Sequence, residues 1–466
     1  MHDNTRRALE RARSHAGAFL SGLGERRVGP AADYADIAAA LDEPLPEAGT
    51  DPAKVIDDLA AAAEPGLVAS PGPRYFGFVT GGSLPAALAA NWLLDAWDQN
   101  AALNIMSPGM AALEAVAARW FKEAVGLPAK ATVGFTTGCT VANATGLAAG
   151  RHALLARAGW DVEADGLFGA PEFDVVVGGE AHSSIFGALQ LIGLGRERVV
   201  RVPVDAQGRM EAGALDATLK ERGRPALVCA QLGNVNSGAC DPLEPIVEAC
   251  ETAGAWLHVD SAFGLWAAAS PDLKHLTAGV ERADSWATDA HKWLNVPYDG
   301  GIVAVADEAA HRATMTQSGA YLIAGVGLPD GMDGVPEASR RARGVAVYAA
   351  LRSLGRTGLA TLIEDNCARA RQFAQRMAAE AGVQVLNDVV LNQVLVRFVG
   401  DGPAARGDAL TNAVIAAVQA EGTAWFGGTV WHGQAAMRVS VSNWSTSETD
   451  IDRAADAVLR CYRESS

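Results

Sequence analysis

An α/β fold, with a mostly parallel sheet between helices, is predicted by three features of the sequence. Short apolar runs at 174–178, 199–204, 226–232, 256–260, 285–288 and 301–305 are mostly separated by helical stretches of moderate length. Strands that alternate with helices imply a parallel sheet covered on both faces. The 466 residues, 49% hydrophobic and 20% charged, are enough to bury a large core. The 50 glycines, with abundant alanine, suit close helix–sheet packing and many turns.

Taken in order, residues 1–22 read as a charged amphipathic helix, with arginines and glutamate alternating with Ala12, Ala16, Phe19 and Leu20. Pro30, Pro44 and Pro46 then break the chain into extended pieces. Asp51-Pro52 starts a helix well, an acidic cap followed by proline at the first helical position. Residues 1–80 cannot enclose a core alone; they are expected to pack on the main body or on another subunit, or to fray as an arm. The aromatic and glycine-rich stretch 73–82 suits either a loop lining a pocket or one packed under a helix. Helices are expected at 84–98 and 108–125, and the alternating region follows to 307. From about 343 the texture changes to long helices at 343–354 and beyond Gly355 and Gly358, strands at 383–386, 394–398 and 437–442, and helices near 408–421 and from 449. The expected division is an N-terminal segment (1–80), a large domain (81–345) and a small C-terminal α+β domain (346–466).

The net charge of 38 − 54 = −16 argues against nucleic acid or an anionic membrane as the main partner. Cys139, Cys229, Cys240, Cys250, Cys367 and Cys461 form neither a CxxC pair nor a dense framework, which fits a reducing, cytoplasmic setting. The N-terminus does not read as a signal peptide, and no apolar run is long enough to span a membrane.

The chemistry gathers around TDAHKWLN at 288–295. Lys292 stands between His291 and Trp293, three positions after Asp289; so confined, a lysine can become neutral and nucleophilic. Asp260 ends the apolar run 256–260, where an acid is costly to bury without a cation. In sheets of this kind ligands sit beyond the carboxyl ends of strands, which puts Asp260 and Lys292 on one rim. Such a pair suits pyridoxal 5'-phosphate (PLP), which needs a lysine for its aldehyde and an acid for its ring nitrogen. It also needs an anion site, for which the Gly-Thr turn 134–143 before a helix is a candidate, although such turns are often only caps. Something flat must cover the ring, and His182, after the run 174–178, is placed to stack; alone it reads as a first-turn histidine. Arg438 suits either a carboxylate ligand or a structural ion pair, and Tyr75, Phe76 and Phe78 hint at an apolar or aromatic substrate.

FTTGCTVAN, EAHSS, GNVNSGACDP, LHVDSAFG, DAHKWLN and RVSVSNW occur in this order between Pro73 and about Cys461. Together they resemble the group II PLP-dependent decarboxylases, which include aromatic amino acid and glutamate decarboxylases. The resemblance implies the fold-type I, aminotransferase-like architecture with a seven-stranded sheet, and a homodimer with its site at the interface. By position it implies Lys292 as the Schiff-base lysine (internal aldimine), Asp260 as the pyridine partner and His182 as the stacking residue. Cys139 and Thr140, joined by His291, would hold the phosphate. Asp289 stands where the family often has asparagine, and Asn236 where it often has threonine near the cofactor. Phe78 and Thr80 match a loop lining the substrate pocket.

One departure stands out. Typical members carry, on a mobile loop after the lysine region, a tyrosine that protonates the substrate carbanion. Here 323–340 contains no Tyr, His or Phe, and Tyr321 aligns as a structural residue. The expected activity is decarboxylation of an L-amino acid to an amine, with His291 or another group as proton donor. The alternative is another PLP reaction: transamination, oxidative deamination or carbon–carbon cleavage. A non-catalytic protein that kept the fold is the third reading, and the retained Lys292, Asp260 and His182 weigh against it.

Overall fold

The computed structural model describes residues 3–317, 330–400 and 407–465. The helices are α1 (Asp3–Gly22), α2 (Tyr34–Leu41), α3 (Pro52–Ala63), α4 (Pro85–Trp97), α5 (Pro108–Val125), α6 (Cys139–Arg157), α7 (Val162–Asp165), α8 (Ser183–Leu191), α9 (Ala212–Arg222), α10 (Leu243–Ala253), α11 (Glu308–Met315), α12 (Gly344–Ala378), α13 (Gly407–Glu421) and α14 (Glu448–Ser465). The large sheet contains β1 (Thr132–Thr136), β2 (Asp174–Gly178), β3 (Val200–Val202), β4 (Ala226–Gln231), β5 (Trp256–Asp260), β6 (Ser285–Asp289) and β7 (Gly301–Val305). The small sheet contains β8 (Val383–Val385), β9 (Gln393–Phe398), β10 (Gly427–Trp431) and β11 (Gln434–Ser440).

The seven strands lie in the order β1-β7-β6-β5-β4-β2-β3, and only β7 runs against its neighbours. A parallel partner needs a long crossover, whereas the short link from β6 to β7 only reverses the chain. That reversal leaves Lys292 in a tight turn over the carboxyl edge. Strands β2, β5, β6 and β7 are buried along their whole length, as expected of a sheet covered on both faces.

Four tryptophans are almost wholly buried, and each indole N–H donates a hydrogen bond: Trp256 to Ser285 Oγ (2.9 Å), Trp266 to the Asp289 carbonyl (3.2 Å), Trp286 to the Val280 carbonyl (2.8 Å) and Trp293 to Asn366 Oδ1 (3.0 Å). Large apolar rings with a satisfied polar edge are strong anchors. Trp293 is thus the peg that fixes the residue beside Lys292.

Helix α12 is kinked at Gly355, whose φ of 62° is the left-handed region open to glycine. Its buried Ala346, Val347, Ala350, Leu351, Leu359, Ile363 and Cys367 belong to the core of the large sheet, and Ala370, Phe373, Ala374 and Met377 pack under the small sheet. The change of core therefore falls inside this helix, not at its start near 345.

Three expectations are corrected. Residues 34–41 are helical rather than extended, because Asp33 and Asp36 form a capping box. Strand β10 was not foreseen, since its opening glycines disfavour a strand and its hairpin turn, His432-Gly433 with φ of 47° and 77°, lacks an Asn-Gly or Asp-Gly signal. Strand β11 spans 434–440 rather than 437–442 because it pairs with β10 from Gln434. Among the described residues no helix is long and apolar enough to cross a membrane.

Candidate active site

Strands β5 and β6 are parallel neighbours, with Asp260 opposite Ala287, so their terminal acids Asp260 and Asp289 finish on the same edge. Across β7, Gly301 pairs with both Asp289 and Thr136. A Cβ at Gly301 would lie 2.6 Å from Gly138. The glycine therefore lets the start of α6 close down on the end of β6.

At that junction Asp289 is the hub. Its Oδ1 accepts from the Cys139 backbone N–H at 2.7 Å, and its Oδ2 is 2.9 Å from Lys292 Nζ. His291 Nε2 lies 3.5 Å from Oδ1. Burial disfavours the Lys292 ammonium, but attraction from the close Asp289 carboxylate, with Asp260 behind it, outweighs it and holds the pKa above the ordinary lysine value. A close carboxylate here wins over desolvation. Burial pulls the His291 pKa down, against Asp289. Its Nδ1 accepts from the Gly300 N–H at 3.2 Å, which places the proton of the neutral ring on Nε2, toward Asp289.

Asp260 is 3% exposed and makes no ion pair among the described residues. Its nearest polar neighbours are the Cys139 thiol and the Ser184 hydroxyl, both at 3.5 Å. A buried carboxylate with only distant, neutral donors calls for a cation, and a pyridinium supplies one. His182 caps α8, its Nδ1 accepting from the Ser184 N–H at 3.2 Å. Burial lowers its pKa, and the charges of Asp260, Lys292, Arg438 and Asp289 all act on it. At the start of α6 the Cys139 N–H is taken by Asp289 and the thiol faces Asp260; burial, with Asp260 and Asp289, keeps that thiol protonated. Thr140 lies exposed on the first turn, where a helix start favours an anion. The donor set thus fits PLP: an amine, an acid with no ion pair among the described residues, a flat ring and a helix N-terminus.

Arg438, on β11, is half-buried and makes no hydrogen bond or ion pair among the described residues. Burial lowers its pKa, opposed by Tyr75, whose own phenol is pushed up to about 12 by burial. Phe78 is exposed, has φ of 55° and stacks on Trp425 at 5.6 Å, and Val79 beside it has φ of 109°. Left-handed backbone at a β-branched residue is strained. Thr80 is half-buried in the same loop. The Asn236 carboxamide accepts from Thr429 of β10 at 3.0 Å. Tyr321 and the first part of the 323–340 stretch lie outside the described residues.

The pyridoxal-dependent decarboxylase conserved domain matches residues 35–399, most of the chain. The chain belongs to the pyridoxal-dependent decarboxylase family. Its cofactor is accordingly PLP and its reaction class amino acid decarboxylation. An aromatic-L-amino-acid decarboxylase of Bacillus atrophaeus is 27% identical over 369 residues, 77% of this chain and 74% of that protein. An L-2,4-diaminobutyrate decarboxylase of Rhizobium meliloti (strain 1021) is 28% identical over 437 residues, 91% of this chain and 84% of that one. The Oryza sativa TDC structure with PLP and tryptamine superposes with a TM-score of 0.92 at 22% identity, covering 100% of this chain and 98% of that one, and shows the same fold.

Two residues that the sequence reading passed over complete this decarboxylase-family site. Asn295, with φ of 57°, accepts on Oδ1 from the Gly82 N–H (2.5 Å) and the Trp444 N–H (3.0 Å), and donates from Nδ2 to the Trp293 (2.8 Å) and Ser442 (2.9 Å) carbonyls. Only an asparagine that tolerates the left-handed region meets all four demands, and a non-glycine residue of positive φ carries no sequence signal. Tyr298 stacks on His291 with ring centres 4.4 Å apart, a contact that depends on the turn between β6 and β7.

Proposed function

We propose that this protein decarboxylates an L-amino acid to its amine with the chemistry divided as follows. When bound, PLP supplies an aldehyde for the substrate amine and a ring that takes up the electron pair left by carbon dioxide. Lys292 would hold the aldehyde, with Asp289 at 2.9 Å to take the proton of its ammonium. Asp260 keeps the ring nitrogen protonated, and His182 lies flat against the ring. The first turn of α6, with Thr140, holds the phosphate, joined by His291, with Asn236 near the cofactor. Arg438 takes a substrate carboxylate, and Phe78 and Thr80 line the entrance. His291, or a water beside it, is the proposed source of the proton for the substrate carbon. The family and its relatives favour decarboxylation over the alternative PLP reactions.

The observation that carries this reading is the buried, unpaired Asp260 facing the Lys292 amine across one strand edge. The same proposal includes a cytoplasmic homodimer with the site at the interface. In its support, Leu9, Leu59, Leu67, Trp92, Leu93 and Trp97 of the N-terminal segment and α4 are exposed, and unpaired apolar faces of this kind mark protein interfaces. The proposed units 1–80, 81–345 and 346–466 draw support from the two separate cores, with the second boundary better set within α12. The test is a panel of amino acids, aromatic, acidic and diamino, with products identified by mass spectrometry. Carbon dioxide and amine are expected from the protein and neither from Lys292→Ala; a PLP-loaded protein releasing no carbon dioxide from any of them would overturn the reading.

A further inference from the structure

A chain of buried polar groups runs beneath α6 from the amino end of β5 to the candidate site. The Trp256 Nε1–H, which can only donate, reaches Ser285 Oγ at 2.9 Å. Ser285 in turn lies 2.8 Å from His258 Nδ1, closer than the Gly146 carbonyl at 3.5 Å. With Nδ1 accepting, the hydrogen of the neutral imidazole sits on Nε2 and is donated to Asn143 Oδ1 at 2.9 Å. Burial pulls the His258 pKa down to about 3, so the ring is neutral at working pH. The Asn143 amide then presents Nδ2 to Ser184 Oγ at 3.4 Å. Ser184 has one hydroxyl hydrogen and two acceptors in reach: His182 Nδ1 at 2.8 Å and Asp260 Oδ2 at 3.5 Å. An N–H arriving from Asn143 occupies the serine oxygen and turns its hydrogen toward those two.

We infer that Asn143 and His258 are positioning residues, which through the Ser184 hydroxyl set the orientation of Asp260 and of the His182 ring. Every donor in the chain points the same way, and aligned hydrogen bonds polarise one another in a low dielectric. Stability does not require the arrangement. Asn143, His258 and Ser285 are wholly buried, and an apolar side chain would fill the space without desolvating them. The fit is nonetheless close: a Cβ on Gly146 would lie 2.8 Å from His258 Cε1, so α6 is pressed against the imidazole. What the chain reaches is the acid and the ring-facing histidine, as outer partners orient metal ligands elsewhere.

This inference rests on the PLP reading of Asp260 and His182. The experiment titrates cofactor-free protein with PLP, following binding by fluorescence and the visible band of the bound cofactor, alongside kcat and KM. Asn143→Ala and His258→Phe are each expected to weaken PLP binding about tenfold, shift the visible band and lower kcat at nearly unchanged KM. Combined with Ser184→Ala they should add little, because the three act in series. His258→Gln, which keeps an N–H toward Asn143, should recover most of the loss. Asn143→Ala removes a small side chain and keeps the measurement available if His258→Phe does not fold. Folded Asn143→Ala with wild-type affinity, band and kcat would overturn the relay. A wild-type protein that bound no PLP would instead overturn the cofactor reading, and the relay with it.

Discussion

Lys292 Nζ stands 2.9 Å from Asp289 Oδ2, while Oδ1 of that carboxylate receives the Cys139 N–H. One acid therefore charges the amine and seats the helix that follows β1. Asp289→Asn keeps an oxygen for the Cys139 N–H but removes the attraction that holds the Lys292 pKa up, leaving burial to lower it. Since uptake of PLP needs the free amine, the midpoint of its pH dependence should move at least about one unit lower in the variant, as for loss of a close opposite charge. Stopped-flow uptake by cofactor-free protein from pH 6 to 10 checks this, and an unmoved midpoint would contradict it.

Arg438 has no partner to lose among the described residues, so Arg438→Gln should change stability by less than about 0.5 kcal/mol. Loss of a charge-assisted contact to the substrate carboxylate should raise KM on the order of tenfold, with a smaller effect on kcat. Steady-state kinetics with the best substrate of the panel decide between a ligand and a structural role. A destabilised variant with unchanged KM would point to the latter.

Glu114 on α5 and Arg340 form a two-pronged pair at 2.7 and 2.9 Å, with the Arg340 side chain only 1% exposed. Removing one partner strands the other charge in the core. Glu114→Gln should cost about 3–5 kcal/mol in guanidinium denaturation. Arg340→Met with Glu114→Leu should cost less than either single change.

Acid should weaken the fold through two histidines. Burial lowers the His258 pKa to about 3 and that of His311 to about 4. Because the folded values lie below the unfolded value of about 6.5, their contribution is complete above that pH and is lost as pH falls. Each should remove about 2 kcal/mol between pH 7 and pH 5. Asp241 opposes them: burial raises its pKa to about 6, so its proton uptake favours the fold as pH drops. Thermal midpoints across this range should fall, and His311→Asn should flatten the slope.

Much of the large sheet was legible because its strands are uninterrupted apolar runs: the expected limits of β2, β5 and β7 agree with those observed. Asp260 and Lys292 are expected on one rim because a parallel sheet gathers its strand ends on one edge, whereas Asp289, His182 and Cys139 join them through the needs of the cofactor and the family resemblance. What escaped notice depends on contacts between distant segments. Asn295 gains its meaning from Gly82 and Trp444, and the His258 chain from Asn143 and Ser184. The ionisation of Lys292 depends on its distance to Asp289, which spacing in sequence does not give.

Asn295 clasps the lysine turn to Gly82 near the beginning of the chain and to Ser442 and Trp444 near its end. On the ribosome, then, the turn has no final shape until residue 444 has emerged. A nascent chain halted before residue 442 would carry every cofactor-facing residue of the large sheet yet lack the clasp that orders them. The lysine turn is thereby clasped late in synthesis, after every strand of the large sheet has emerged.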